Sequence, residues 1–120
     1  MLCCRNAEAA LAFYKQAFGA RETMERVPTG GKVGHAEIEV GGGRIMVADE
    51  FPEHNRSPQT LGGTSVMIYV YVDDVDTLIK RATVAGATVL RGPEENKFGR
   101  LVKLEDPFGH VWFFMTAKEK

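Results

Sequence analysis

The residues of this chain best suited to chemistry stand at alternate positions of one strand-like segment. His35, Glu37 and Glu39 are separated by apolar residues, so a β-strand would place all three side chains on one face. An imidazole beside a carboxylate can act as acid and base, or supply two ligands to a metal ion. Such a pair without a third convergent ligand is more often a hydrogen-bonded surface pair. His35 and Glu37 are therefore weak candidates for catalytic residues.

Other patterns that carry chemistry are absent from the sequence. Cys3 and Cys4 are adjacent, and their α-carbons, about 3.8 Å apart, are closer than the roughly 4.4 Å minimum for a disulfide. Two buried strand thiols are the favoured interpretation. The glycines at positions 41–43 fit a hairpin rather than a nucleotide-binding loop, and we find neither a nucleophile–base pair nor zinc-type cysteine spacing.

Length and composition predict a single cytoplasmic domain. A chain of 120 residues can bury one hydrophobic core and is too short for two. With a net charge of −1, it lacks the basic surface that binds nucleic acid or an anionic membrane. No apolar run approaches the roughly 20 residues of a membrane-spanning helix, and early charges argue against a signal peptide. We therefore expect neither nucleic acid nor a membrane as a partner.

The elements that would position the candidate residues occur twice along the chain. Residues 6–20 and residues 74–87 each predict an amphipathic helix with a capping side chain at its start and a glycine at its end. Each helix precedes strand-like segments, so both copies have the order β-α-β-β-β. We expect one domain over residues 1–120, built from a first module at about 1–50, a linker at 50–63 and a second module at about 64–120.

The predicted strands and the linker between the modules are the elements that could border a binding site. The predicted strands are 21–27, 33–40 and 44–48 in the first module, and 65–72, 88–91, 100–105 and 110–116 in the second. The linker at 50–63 is rich in proline, glycine, asparagine and serine. A linker of this length is either a lid over a binding site or a plain tether between the modules.

Alternation along residues 65–72 separates two kinds of side chain. Met67, Tyr69 and Tyr71 fall on one face, and compact β-branched residues fall on the other. Methionine and tyrosine pack adaptably, and tyrosine adds a hydroxyl that can orient a ligand. The first face is typical of a small-molecule pocket or an interface. In the last strand, Trp112 is expected on the opposite face, packed beneath a helix.

Three motifs in combination resemble the glyoxalase/bleomycin-resistance/dioxygenase superfamily, whose members are also called vicinal-oxygen-chelate proteins. They are ALAFYKQAFGA at residues 10–20, VDDVD at 72–76 and DPFGHVW at 106–112. Within that superfamily, HAEI at 35–38 and FGR at 98–100 resemble the PhnB-like branch. The resemblance implies an α+β fold in which two βαβββ modules form a cupped mixed sheet around a cavity. It also implies helices on the outer face and, commonly, a homodimer.

The resemblance further implies where a metal ion would bind, through His or Glu from the first and last strands of each module. In this chain those positions fall on Met67, Phe113 and Val47, and the fourth would precede Met1. Divalent cations need oxygen or nitrogen donors, so we expect no metal site and no cofactor. The predicted ligand-binding residues are then Met67, Tyr69, Tyr71, Phe113 and Val47.

Three functional hypotheses remain open from the sequence. The first is a metal-free protein that binds a small apolar or aromatic ligand and acts by sequestration or sensing, as bleomycin-resistance proteins do. The second is an enzyme of lyase, isomerase or dioxygenase type, with a relocated metal or an acid–base pair around His35 and Glu37. The third is a structural or interaction module with a filled cavity. A homodimer is expected because the short opening strand before the first helix leaves an apolar edge to be covered.

Overall fold

The chain folds as two βαβββ modules, described for residues 1–118 by a computed structural model. The first module contains β1 (Leu2–Cys4), α1 (Ala7–Phe18), β2 (Arg21–Glu22), β3 (Val27–Thr29), β4 (Lys32–Val40) and β5 (Gly43–Asp49). A short helix, α2 (Pro58–Leu61), lies between the modules. The second module contains β6 (Met67–Tyr71), α3 (Val75–Ala85), β7 (Thr88–Asn96), β8 (Gly99–Glu105) and β9 (Val111–Ala117). The predicted α+β class is confirmed.

Each module builds a mixed sheet with the same strand order. The first sheet runs β1-β5-β4-β2, with β3 also paired to β4, and the second runs β6-β9-β8-β7. In each sheet the opening strand lies parallel to the last strand, and the other pairs are antiparallel. The two modules therefore share one topology, and positions in one sheet have defined counterparts in the other.

Local signals set the ends of the two long helices. The side-chain oxygen of Asn6 accepts a hydrogen bond from the Ala9 amide at 3.0 Å, and that of Asp74 accepts one from the Thr77 amide at 3.1 Å. α1 ends at a glycine with φ of +67°, and α3 ends at one with φ of +119°. Capping oxygens satisfy free amides at a helix start, and glycine adopts the left-handed conformation at its end. Both helices begin and end where the sequence predicts.

The helices pack against each other and against both sheets, which gives the described residues one continuous core. The Phe18 ring of α1 lies 4.9 Å from the Trp112 ring and 4.7 Å from the Phe114 ring of β9, measured between centroids. Ala36 and Ile38 of the first sheet belong to the same buried cluster. The helix sides of the two sheets therefore share the core, and the opposite face of each sheet is left open. Trp112 is fully buried, as the alternation predicts.

A buried carboxylate joins the two modules. Asp106, which is 4% exposed, accepts hydrogen bonds through Oδ2 from the Tyr14 hydroxyl at 2.6 Å and from Trp112 Nε1 at 3.0 Å. Its Oδ1 accepts from the amides of Phe108 at 2.8 Å and His110 at 3.0 Å. Burial, and then the Asp106 charge, raise the pKa of Tyr14 well above its usual value, so this phenol stays protonated and donates. One side chain thus ties α1 to the β8–β9 turn and to the tryptophan.

The linker at residues 50–63 is held against the first module by hydrogen bonds. The Glu50 amide donates to the Cys4 carbonyl at 2.7 Å, which continues the pairing of β5 with β1. The Asn55 side-chain oxygen accepts from the Cys3 thiol at 3.2 Å. Of the two interpretations of this segment, a docked tether agrees with these contacts better than a lid.

Two predicted strands differ from the observed bounds, and the observed strands β3 and β7 each contain a proline. The predicted strand at 21–27 is divided into β2 and β3, and the pairing of β3 with β4 shifts register between Val27 and Pro28. β7 continues past its predicted end at residue 91 and includes Pro93, with register shifts on the way. Edge strands accommodate proline at bulges because the missing amide hydrogen does not interrupt a second ladder.

Because Asp106 bridges the two modules, its substitution should destabilise the protein more than substitution of the half-exposed Asp76. Asp106→Ala should lower the free energy of unfolding by about 2–6 kcal/mol, because two buried side-chain donors lose their acceptor and each unsatisfied donor costs about 1–3 kcal/mol. Asp76→Ala, which removes a half-exposed partner of Arg100, should have a much smaller effect. Urea unfolding of both variants measures the difference, and equal losses would contradict the role given to Asp106.

Candidate functional site

Four of the predicted ligand-binding residues lie together on the open face of the second sheet. Met67, Tyr69 and Tyr71 alternate along β6 and are 53%, 48% and 61% exposed. Phe113 of β9 lies directly opposite Tyr69 in the parallel pairing of the two strands and is partly exposed. We call these four residues the aromatic platform. That they bind a ligand remains a prediction.

The rings of the aromatic platform are packed against one another. The Tyr69 and Phe113 rings are stacked, with centroids 5.6 Å apart and an interplanar angle of 26°. The Tyr69 and Tyr71 rings lie 5.7 Å apart at 55°, and the Tyr69 hydroxyl donates to the sulfur of Met115 at 3.4 Å. Burial, and then the neighbouring Tyr71, raise the pKa of Tyr69. The platform is therefore an uncharged, ordered surface suited to a flat apolar group.

Val47, the fifth predicted ligand-binding residue, is not part of this platform. Its side chain is fully buried in the core. It lies opposite Ala36, whose side chain is also buried there, so Val47 faces the helices. The expectation that Val47 contacts a ligand on the open face is wrong because a side chain in the core cannot reach it.

The error with Val47 is one residue of strand register. Ala48 and Met115 are counterparts, since in the parallel pairings each lies opposite the third residue before the N-cap of the following helix. Counting back two residues from each makes Met46 the counterpart of Phe113. A shift of one position along a strand moves a side chain to the other face of the sheet. Met46, which is partly exposed, is the open-face position that the sequence argument missed.

The open face of the first sheet is polar, and its charges are paired. Glu37 accepts a hydrogen bond from the Thr23 hydroxyl and lies 3.7 Å from the guanidinium of Arg44. Glu39 likewise pairs with an arginine at 3.2 Å. Within residues 1–118, Glu37 therefore bonds Thr23 and Arg44 rather than His35, which is half-buried on the same strand. The arrangement is that of hydrogen-bonded surface pairs, and it gives no support to His35 and Glu37 as an acid–base pair.

A divalent metal ion does not fit the positions that the family uses. Met67 and Phe113 carry no oxygen or nitrogen donor in their side chains, and Met46 offers only a thioether. Zn²⁺ and Mn²⁺ require imidazole, carboxylate or thiolate ligands. In the part of the chain that the structure describes, no three His, Cys, Asp or Glu side chains are grouped to hold a metal ion.

A shallow cleft extends the aromatic platform towards the first module. It has a volume of about 270 Å³ and lies between β6 and the hairpin that joins β4 to β5. Gly41, in that hairpin, has φ of +57°, and a Cβ added there would lie 2.7 Å from the Tyr71 carbonyl oxygen. Only glycine allows the hairpin to approach β6 this closely. The turn glycine predicted from the sequence thus also shapes one side of the candidate site.

Comparison with known proteins agrees with this architecture. The family model for the Glyoxalase/Bleomycin resistance protein/Dioxygenase superfamily matches residues 1–114. An uncharacterized protein of Mycobacterium bovis is 41% identical over 113 residues, which cover 89% of this chain and 74% of that protein. The chain spans 66% to 74% of the length of the mycobacterial relatives that it matches. It belongs to the glyoxalase/bleomycin resistance protein/dioxygenase superfamily.

Solved structures extend the likeness to three dimensions. The crystal structure of TioX from Micromonospora sp. ML1 has a TM-score of 0.76 and 30% identity, covering 98% of this chain and 94% of that one. TnmS3, an antibiotic binding protein from Streptomyces sp. CB03234, has a TM-score of 0.70 and 21% identity, covering 98% and 91%. The likeness to TnmS3 shows the fold alone.

Within residues 1–118, none of the helices combines the length and the hydrophobicity that a membrane-spanning helix requires.

The apolar side chains at the family's metal positions predict a protein without a resident metal ion. Protein purified without chelator should contain no stoichiometric Zn²⁺, Ni²⁺ or Mn²⁺ by elemental analysis. One tightly held metal ion per chain would contradict this prediction and make His35 and Glu37 candidate ligands. The variants His35→Ala and Glu37→Ala would then show whether those residues hold the ion.

Proposed function

We propose that this protein is a metal-free small-molecule-binding protein that sequesters or senses a largely apolar or aromatic ligand on the aromatic platform. The observation that carries the proposal is the exposure of three large side chains, Met67, Tyr69 and Tyr71, from a single strand. Exposed apolar side chains grouped in one place mark interaction sites. The other face of the same strand packs into the core, so the platform is presented on a rigid support.

The chemistry of the platform fits such a ligand better than it fits the rival functions. A stacked tyrosine–phenylalanine pair offers a flat apolar surface, and methionine adapts to ligands of different shape. An enzymatic role for His35 and Glu37 has less support, because Glu37 is engaged by Thr23 and Arg44. A cavity filled by the chain's own side chains disagrees with the exposure of the platform. The antibiotic-binding TnmS3, which has this fold, is consistent with the proposal.

The platform would become a pocket if a second copy of the chain covered it, and we propose a homodimer. Within residues 1–118, β1 and β6 are end strands that pair on one side only. Unpaired strand edges next to apolar surface are usually covered in native proteins.

Three further predictions from the sequence remain proposals. They are membership in the PhnB-like branch, a cytoplasmic location, and a single domain divided into modules 1–50 and 64–120 that are joined by residues 50–63.

The proposed assembly predicts a dimer mass in solution. Light scattering coupled to size exclusion at micromolar protein should give twice the mass of one chain, because the open sheet faces and strand edges need covering. A monomer mass under these conditions would contradict the dimer. It would also leave the platform as an open surface rather than one wall of a pocket.

The proposed site predicts that a charge placed on the platform at Met67 weakens binding. Met67→Glu should weaken binding of a neutral aromatic probe, 2-anthracenecarboxamide, at least about tenfold, because a carboxylate would face the apolar surface of the probe. Fluorescence anisotropy of the probe measures the affinity, and circular dichroism checks that the variant is folded.

A matched control for that substitution lies on α3. Val84 is 83% exposed and lies outside the platform, so Val84→Glu should leave the affinity for 2-anthracenecarboxamide unchanged. If Met67→Glu binds the probe as the parent does, or if both variants lose binding equally, the platform is not the ligand site.

A further inference from the structure

We infer that the ligand of the aromatic platform is a planar aromatic molecule carrying an acidic group, and that Lys103 selects it. The inference rests on the proposed function, because it names the ligand class of the same site. It depends on the position of one lysine side chain and on the charges around that lysine.

Lys103 lies on the open face of the second sheet, beside the platform. It is opposite Phe113 in the antiparallel pairing of β8 with β9, and its Nζ lies 5.6 Å from the centroid of the Phe113 ring. Phe113 is stacked on Tyr69, and about half of the Tyr69 side chain is exposed. A flat molecule lying across the outer edges of the Tyr69 and Phe113 rings would therefore reach the ammonium group at its Phe113 end. Acidic groups on aromatic rings lie at the ring edge, which is where such a ligand would meet Lys103.

The charge of Lys103 is not neutralised by a close carboxylate. Among residues 1–118, no Asp or Glu oxygen forms an ion pair with its Nζ within 4.0 Å. Arg91, on β7, lies opposite Lys103 and is paired with Glu94 at 2.7 Å. Glu105 shares the face two residues further along β8, about 7 Å away along the strand. Glu94 is thus engaged by Arg91 and is not the ion-pair partner of Lys103, so Lys103 adds a positive charge to this face.

An aromatic surface with one available ammonium group discriminates between ligands by charge. The platform binds acidic and neutral aromatic molecules alike, since apolar contact with its rings does not depend on the net charge of the ligand. The ammonium group favours only the acidic ones, because an opposite charge next to an apolar surface is screened less than in water. The platform therefore supplies affinity, and Lys103 supplies the preference for an anion such as a carboxylate or a sulfonate.

The test compares two probes of nearly the same shape on the purified protein. 2-Anthracenecarboxylate carries the acidic group, and 2-anthracenecarboxamide is its neutral counterpart. The parent should bind the carboxylate about two- to fivefold more tightly than the amide, as expected for one partly exposed ion pair. Lys103→Met should bring this ratio to about one and leave the affinity for the amide within about twofold. Raising the salt concentration should lower the ratio in the parent.

A matched control lies at the turn between β7 and β8. The Nζ of Lys97 lies 5.1 Å from the ring centroid of Phe98, so the same type of lysine–phenylalanine contact occurs there outside the platform. Lys97→Met removes the same net charge and should leave the ratio of the two affinities unchanged. Lys103→Gln, which keeps a polar side chain, should behave as Lys103→Met does and provides a second variant if the first does not fold.

The possible results separate the ligand class from the proposed function. If the parent binds both probes equally well, or if Lys103→Met keeps the preference for the carboxylate, the inference is overturned and the proposed binding site stands. Loss of the preference in Lys97→Met as well would mean that net charge, not Lys103, sets it, which also overturns the inference. If neither probe binds the parent, the proposed function itself fails for ligands of this type.

Discussion

The bond network of Asp106 is the interaction on which the arrangement of the two modules depends. Its carboxylate lies at the start of the β8–β9 turn and accepts hydrogen bonds from Tyr14 in the first module and from Trp112 in the second. A buried carboxylate is tolerated only when its oxygens are well supplied with donors, so these groups must meet at one point. With α1 held against β9 in this way, the helix sides of both sheets share one core, and the opposite faces become the surface available for function.

Strands β6 and β9 pack into the core on one face and form the candidate site on the other. In β9, Trp112 and Phe114 lie in the core while Phe113, between them, lies on the platform. The period of two along a strand makes this division possible without any change in backbone. Aromatic packing beneath the sheet also holds the platform residues in register, so that Tyr69 and Phe113 meet as a stacked pair. A ligand would therefore bind to a surface already ordered by the core.

Membership in the superfamily does not decide the chemistry of this chain, because a fold supports different functions through different site residues. At the positions where metal-dependent members place His or Glu, this chain has Met67 and Phe113, and the structure assigns Met46 to the third. These side chains favour contact with apolar groups over coordination of a hard cation. The charged residues of the first sheet pair with one another, and the Lys103 ammonium lies 5.6 Å from the centroid of the Phe113 ring. These features support the proposed binding of an aromatic ligand and its proposed selection by charge.

Local and periodic signals in the sequence were sufficient for the fold class, the helix ends at Asn6 and Gly19, and the face on which Met67, Tyr69 and Tyr71 lie. They act within a few residues, through capping, glycine conformation and alternation. They could not correct the placement of Val47, which came from the family resemblance, because residues 45–48 are apolar at every position and alternation gives no signal when both faces are apolar. Only the pairing with β1 and β4 decided that Val47 enters the core and Met46 the open face. Pairing across strands also brought Lys103 beside Phe113 and Glu37 beside Arg44, since such contacts depend on register and packing between distant segments.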